Sequence, residues 1–196
     1  LGASVIAPSS PGYDASVKPS AAERLDKEVL DHQPDLLVIA YGLNDMRAGM
    51  PLDAFRRELQ RIIDRIRAHI NPLIVIANVY HMSDYQYYPP FNKGSIDATR
   101  AYNQMLLEIA QANHCAYADV WSAQGCRDYV VHQDTCHANK IGNMLIAHEV
   151  FRAIIHAAPG IAHNVRKRDE TPDWTQRTAS MRAQRVEESN KSLPGR

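Results

Sequence analysis

An aspartate and a histidine three residues apart, in the run Asp134-Thr135-Cys136-His137, carry the clearest chemistry in this chain of 196 residues. A neutral imidazole can take the proton of a hydroxyl and return it to a leaving group. A carboxylate on its Nδ1–H fixes the tautomer and stabilises the imidazolium. Ala138-Asn139-Lys140-Ile141-Gly142 follows, at the start of what reads as the last helix. Far upstream, Tyr41-Gly42-Leu43-Asn44-Asp45 ends an apolar strand, and the side-chain amide of Asn44 can donate to a tetrahedral oxyanion. Gly12 has no Cβ, so its backbone N–H can approach the same oxygen closely. Asp45 reads as a residue that orders its loop. Taken singly, these are a loop carboxylate, an exposed histidine, a turn asparagine and a turn glycine.

The elements that must position these residues alternate between strand and helix. Val5-Ile6-Ala7 is a short strand candidate, followed by the loop Pro8-Ser9-Ser10-Pro11-Gly12. Ala21 to His32 reads as a helix, ended at Gln33-Pro34 because proline disfavours helical geometry in the residue before it. Asp35 to Tyr41 and Leu73 to Val79 are nearly continuous apolar runs, the mark of strands buried on both faces. Between them Phe55, Leu59, Ile62, Ile63, Ile66 and Ile70 recur at helical spacing. Tyr80 to Gly94, rich in tyrosine and proline, reads as a long loop with a possible role in a substrate groove. Ala98 to Ala112 is a helix, Ala116 to Val120 a short strand, and Lys140 to His156 a helix with Ile141, Leu145, Phe151 and Ile155 expected inward. Such alternation implies parallel strands joined by right-handed crossovers, hence an α/β fold: a three-layer α/β/α sandwich on a mostly parallel, doubly wound sheet. Gly12, Asn44 and the Asp134–His137 pair then all follow strands at the sheet edge where ligands bind in such folds.

The chain is long enough for one domain with a sizeable core. Lysine plus arginine equals aspartate plus glutamate at 22 each, so no global field favours nucleic acid. No apolar run approaches the ~20 residues of a membrane span. Three cysteines are too few for a disulfide framework, and Cys115, Cys126 and Cys136 are expected as free thiols. His132, Asp134, Cys136 and His137 are metal-capable, but no second ligand cluster accompanies them, so neither a metal nor a cofactor is expected. Past Pro159-Gly160 the composition turns polar, so residues 1–160 are expected as the domain and 161–196 as a tail, with a short helix around 180–188.

The motifs resemble those of the SGNH hydrolases, the GDSL-type esterase and lipase superfamily, from Val5 to roughly Ile155. Gly42-Leu43-Asn44-Asp45 is the most specific match and resembles the family's third block; Asp134-Thr135-Cys136-His137 resembles the fifth. Val5 to Gly12 is similar to the second, with Ala7 where an asparagine is usual. The resemblance implies His137 as base, Asp134 as its orienter, and Gly12 with Asn44 as the oxyanion hole. It implies a carboxylic ester or acylated carbohydrate as substrate and an acyl-enzyme on serine. The first block, Gly-Asp-Ser on the first strand, is absent from the sequence. In the family that strand lies between those represented by Val5–Ala7 and Asp35–Tyr41, so the strand and its serine are expected upstream of Leu1 or on a partner segment. Ser9 and Ser10 stand outside the nucleophile motif. The alternatives are a noncatalytic ligand-binding module on the same scaffold, and an interaction protein using the basic tail around Arg166-Lys167-Arg168.

Overall fold

The computed structural model describes residues 4–16, 18–86 and 88–160, together with the helical Ala179 and Ala183. Leu1–His156 form one compact unit, and Ala157–Arg196 a second. The expected polar tail and its short helix therefore lie outside the described residues, apart from those two alanines.

Three parallel strands order the first unit. Leu36–Ile39 (β1), Leu73–Ala77 (β2) and Ala116–Ala118 (β3) pair in the order β1-β2-β3, with Leu36 opposite Leu73 and Val75 opposite Ala116. Ala21–Glu28 (α1) precedes β1, and Leu43–Arg47 (α2) follows it directly. Leu52–His69 (α3) crosses from β1 to β2, and Ile96–Ala112 (α4) from β2 to β3. Val120–Gln124 (α5) and Lys140–Ala157 (α6) complete the unit.

Helices cover both faces of the sheet, which gives the three layers. Because strand side chains alternate, Ile74 and Ile76 of β2 face one way while Val75 and Ala77 face the other. The first pair packs with Phe55, Leu59 and Ile66 of α3 and Met105, Leu106 and Ile109 of α4 in the main core. The second pair meets α6 through Ile146, Val150, Ala153 and Ile154. α1 joins the first layer and is tied to α3 by a bidentate Arg65–Asp26 ion pair.

Two expectations are corrected. Val5-Ile6-Ala7 is not a strand: it forms bends and is almost wholly buried. Its backbone groups are satisfied elsewhere, since Ala21 N–H and Ala22 N–H at the start of α1 donate to the carbonyls of Val5 and Ile6, and Ile6 N–H donates to the Asp45 carboxylate. A buried apolar triplet reads alike in either conformation. The second correction concerns α6, where Ile141 and Phe151 are 53% and 61% exposed rather than inward, and Ile155 is exposed as well. The helix instead presents Gly142, Glu149 and Ala153 inward. Small residues let it lie close: a Cβ on Gly142 would come within 2.3 Å of the Val130 carbonyl oxygen.

β1 pairs only with β2 among the described residues. Burial on both faces, expected of this strand, is corrected too: Leu36 and Val38, with Ala40 just past the strand, are exposed on the α6 side of the sheet. Between Ile6, α1, β1 and α3 lies a cavity of about 180 Å³, lined by Leu25, Val29, Leu37, Ile39 and Ile62.

Candidate active site

α2 is the hub of the site. The chain leaves β1, turns at Gly42 with φ +119°, a conformation that L side chains rarely adopt, and enters this five-residue helix at once. Residues of α2 then hold two segments, the stretch around Ser4 and Ile6 and the Asp134–His137 loop. Asn44 donates through Nδ2 to the Ser4 carbonyl at 3.4 Å. Asp45 accepts the Ile6 N–H on both oxygens, at 3.1 and 3.2 Å. Just past the helix, Ala48 packs on Gly12, where an added Cβ would lie 3.1 Å from the Ala48 Cβ and 2.7 Å from Phe91. The glycine is thus needed for close packing. Arg47, almost fully buried, donates through Nη1 to Cys136 Sγ at 3.0 Å and so ties α2 to the Asp134–His137 loop.

The loop itself is closed by backbone bonds. Val131 and Ala138 form an antiparallel bridge, and His132 N–H donates to the His137 carbonyl at 2.7 Å. Thr135, at φ +64°, makes the turn, and its carbonyl accepts the N–H groups of Ser83 and Asp84 from the loop after β2. Asn139 clamps the end: its Oδ1 accepts the Gly142 N–H in the first turn of α6, and its Nδ2 donates to the carbonyls of Tyr129 and Val131. The turn at 128–130 is braced by a second pair, His81 Nε2 to Asp128 Oδ1 at 2.9 Å, with Trp121 edge-on to the His81 ring.

Within this frame Asp134 uses both oxygens. Oδ1 accepts the N–H groups of Cys136 (3.0 Å) and His137 (2.9 Å), and Oδ2 lies 2.7 Å from His137 Nδ1. The backbone N–H of His137, above all, holds the Asp134 carboxyl well below the usual carboxylate range, with the His137 ring and the Cys136 N–H adding to it. The carboxylate is therefore ionised and oriented, and the His137 tautomer it selects carries its proton on Nδ1. The side chain of His137 is 64% exposed, leaving Nε2 open to solvent. Burial pushes the Tyr80 phenol and the Cys136 thiol upward, so both stay neutral beside the pair.

The structure thus joins Asp134 to His137 directly and gathers Asn44 and Gly12 around α2. Asn44 and His137 are connected through Arg47 and Cys136, which sequence reasoning did not single out. A five-residue helix offers no periodicity, and one arginine beside a methionine gives no sign that it will be buried. Asp45, expected to order its own loop, lies in α2 and instead fixes the buried segment at Ile6. Ser9 donates to Glu58 of α3, and Ser10 is buried. Among the described residues no group of three or more His, Cys, Asp or Glu side chains is placed to hold a metal ion. No helix among them is long and apolar enough to cross a membrane.

The buried Asp45 makes a pH signature. Desolvation raises its pKa from 3.8 to about 6, against the lowering by hydrogen bonds such as that from Ile6 N–H. A folded-state value above the unfolded one means the folded protein holds the proton more tightly. Stability from this group is therefore greatest below about pH 4 and falls as pH rises to 6, by about 3 kcal/mol. Asp45→Asn cannot ionise, so its stability relative to the parent should climb across that window. Denaturant unfolding at closely spaced pH values measures the difference, and parallel curves would contradict the reading.

Comparison with known proteins bears on the fold and the family. Among solved structures, Axe2, an acetylxylan esterase from Geobacillus stearothermophilus, matches with a TM-score of 0.55 and 17% identity over 68% of this chain and 65% of its own. LAE5, an alpha/beta hydrolase enzyme from the metagenome of Lake Arreo, Spain, matches with the same figures. At this identity the likeness is one of fold, and the chain spans about 65% of those enzymes' length. Variants of Axe2 described as catalytic mutants fall at a serine, at an aspartate, and at a histidine three positions after that aspartate. No curated protein matches the sequence. The profile of the GDSL-like Lipase/Acylhydrolase family, by contrast, matches residues 1–145, and the chain belongs to that family.

Proposed function

We propose that this chain carries the acid–base and oxyanion groups of a serine-dependent hydrolase of carboxylic esters, with a small acyl group on a carbohydrate as the favoured substrate. The observation that carries the reading is the His137 Nδ1–Asp134 Oδ2 contact of 2.7 Å, with Nε2 left open. His137 Nε2 takes the serine proton as Oγ attacks the ester carbonyl. It then gives that proton to the departing alcohol, and activates water to release the acyl group. Asn44 Nδ2 and Gly12 N–H stabilise the oxyanion. The 3.4 Å bond from Asn44 to the Ser4 carbonyl is long and readily exchanged for a charged acceptor. Acetylated carbohydrate is favoured because Axe2, of similar fold, is an acetylxylan esterase.

The serine is assigned to a strand outside residues 1–196, parallel to β1 on its open edge. Three observations support the assignment: the single partner of β1 among the described residues, the exposed Leu36–Val38–Ala40 face, and the cavity between Ile6 and β1. A right-handed crossover leading away from β1 in the direction opposite to α3 would set its helix on the α6 side. There the exposed Ile141, Met144 and Phe151 offer an apolar surface.

A serine-directed phosphonate applied to the full-length protein, followed by peptide mapping, tests the assignment. Labelling of a serine outside residues 1–196 is expected, and labelling of Ser9 or Ser10 would overturn it. Ligand binding with no labelled serine would instead mark a noncatalytic binding module. Asn44→Ala should lower kcat by about 10²–10³-fold with KM little changed, as for loss of one oxyanion donor. A loss confined to KM would assign Asn44 to substrate binding.

A further inference from the structure

Arg47 is used twice, by its side chain and by its backbone. Its Nη1 donates at 3.0 Å to the sulfur of Cys136, the residue just before His137. Its carbonyl accepts the Lys93 N–H at 2.8 Å. Its Cγ packs where Gly94 leaves room, since a Cβ on that glycine would lie 3.1 Å away. The segment after β2 that ends at Lys93 is staked at its other end to the Asp134–His137 loop. There Ser83 N–H and Asp84 N–H both donate to the Thr135 carbonyl, at 3.0 and 3.2 Å. Between the two stakes the same segment sets Phe91 against Gly12. The contacts thus close a circuit that runs from α2 through Cys136 and Thr135 to the segment after β2, and back to α2. Asn44 stands on it one helical turn before Arg47, His137 next to Cys136, and Gly12 against Phe91.

We propose that Arg47 is a positioning residue, which holds the Asp134–His137 loop in register with Asn44 and Gly12 through its contact with Cys136. A base and an oxyanion donor serve one reacting carbonyl only while their separation is held to about 0.5 Å. The bonds from Asp134 shape the loop from within. The Arg47–Cys136 contact joins that loop directly to the helix carrying Asn44. Both partners are almost fully buried, 3% and 5% exposed, so water does not compete for the contact. Burial pushes the Cys136 thiol upward, so the sulfur accepts as a neutral group, and replacing Arg47 strands no charge on it. The consequence for turnover rests on His137 and Asn44 acting on an ester; the circuit itself does not.

The test uses Arg47→Met, Cys136→Ala and the double variant in the full-length protein, with a small acetyl ester as substrate. Each single change opens the same contact, so each should lower kcat about 10–10²-fold with KM little changed. The double variant should lose no more than the worse single one. Cys136→Ser keeps an acceptor for Nη1 and should recover most of the Cys136→Ala loss. If Arg47→Met does not fold, the two Cys136 variants carry the same test from the other end. Amide hydrogen exchange reads the circuit without turnover: in Cys136→Ala the amides of His137, Ser83 and Lys93 should exchange about tenfold faster. Packing confined to the surroundings of Cys136 would not reach Lys93, which is held on the far side of Arg47. Losses that multiply in the double variant, a change confined to KM, or no recovery in Cys136→Ser would overturn the proposal. So would parental exchange rates at His137 and Lys93. A parent that hydrolyses no ester would refute the ester-hydrolase reading and leave the exchange rates to decide this one, so the two failures are distinct.

Discussion

His137→Ala in the full-length protein is expected to lower kcat for a small acyl ester by on the order of 10⁴–10⁶-fold while leaving the fold in place. The size follows from what the ring does. A serine hydroxyl is a weak nucleophile until a base takes its proton during attack, and the same ring must then protonate the leaving alcohol. Removing it disables both steps, and the two other imidazoles described near the loop do not inherit its place: His132 faces Asp134 through the same Nδ1 side, and His81 is buried against Asp128. The fold should survive because His137 contributes its backbone, not its ring, to loop closure. Its carbonyl accepts the His132 N–H and its N–H donates to Asp134 Oδ1, and alanine keeps both. Steady-state kinetics on an acetyl ester, paired with thermal unfolding, separates the two effects. Retention of more than a few per cent of turnover would remove His137 from the role of base.

Much of this was legible before any coordinates, and the reasons divide along physical lines. The long helix α3 announces itself through five buried apolar residues at helical spacing, and β2 through an unbroken apolar run, because burial on one face or two imposes those periods. The Asp134–His137 pair was legible because both partners lie on one short loop, where three residues of separation almost fix the distance. Val5–Ala7 misled because burial alone does not distinguish a strand from a bend whose carbonyls cap the start of α1. On α6 two apolar stripes compete, and the larger residues of Ile141 and Phe151 pointed to the wrong one. The small residues at Gly142 and Ala153 won, since close approach to Val130 and the sheet needs absent side chains more than large ones. The Arg47–Cys136 link spans 89 positions, and no local pattern encodes a contact of that range.

Asp134→Asn should cost on the order of 10⁴-fold in kcat, nearly as much as losing the base, although it changes one atom. The carboxylate accepts at every contact: two backbone N–H groups on Oδ1 and His137 Nδ1 on Oδ2. An asparagine has one accepting oxygen. If that oxygen stays with Cys136 N–H and His137 N–H, its NH₂ faces His137 and can bond only to a ring with a lone pair at Nδ1. That tautomer carries its proton on Nε2, so the nitrogen that should receive the serine proton is already occupied. If the amide flips, the ring keeps its proper tautomer, but the NH₂ then confronts two backbone donors and the loop must open. The first outcome leaves the fold intact with an inactive ring; the second lowers stability as well. In either case the imidazolium loses its counter-charge in the transition state. The two can be told apart by ¹⁵N chemical shifts of the His137 ring, which report the tautomer directly. A variant that kept both the Nδ1–H tautomer and parental turnover would show that Asp134 serves only to fold the loop.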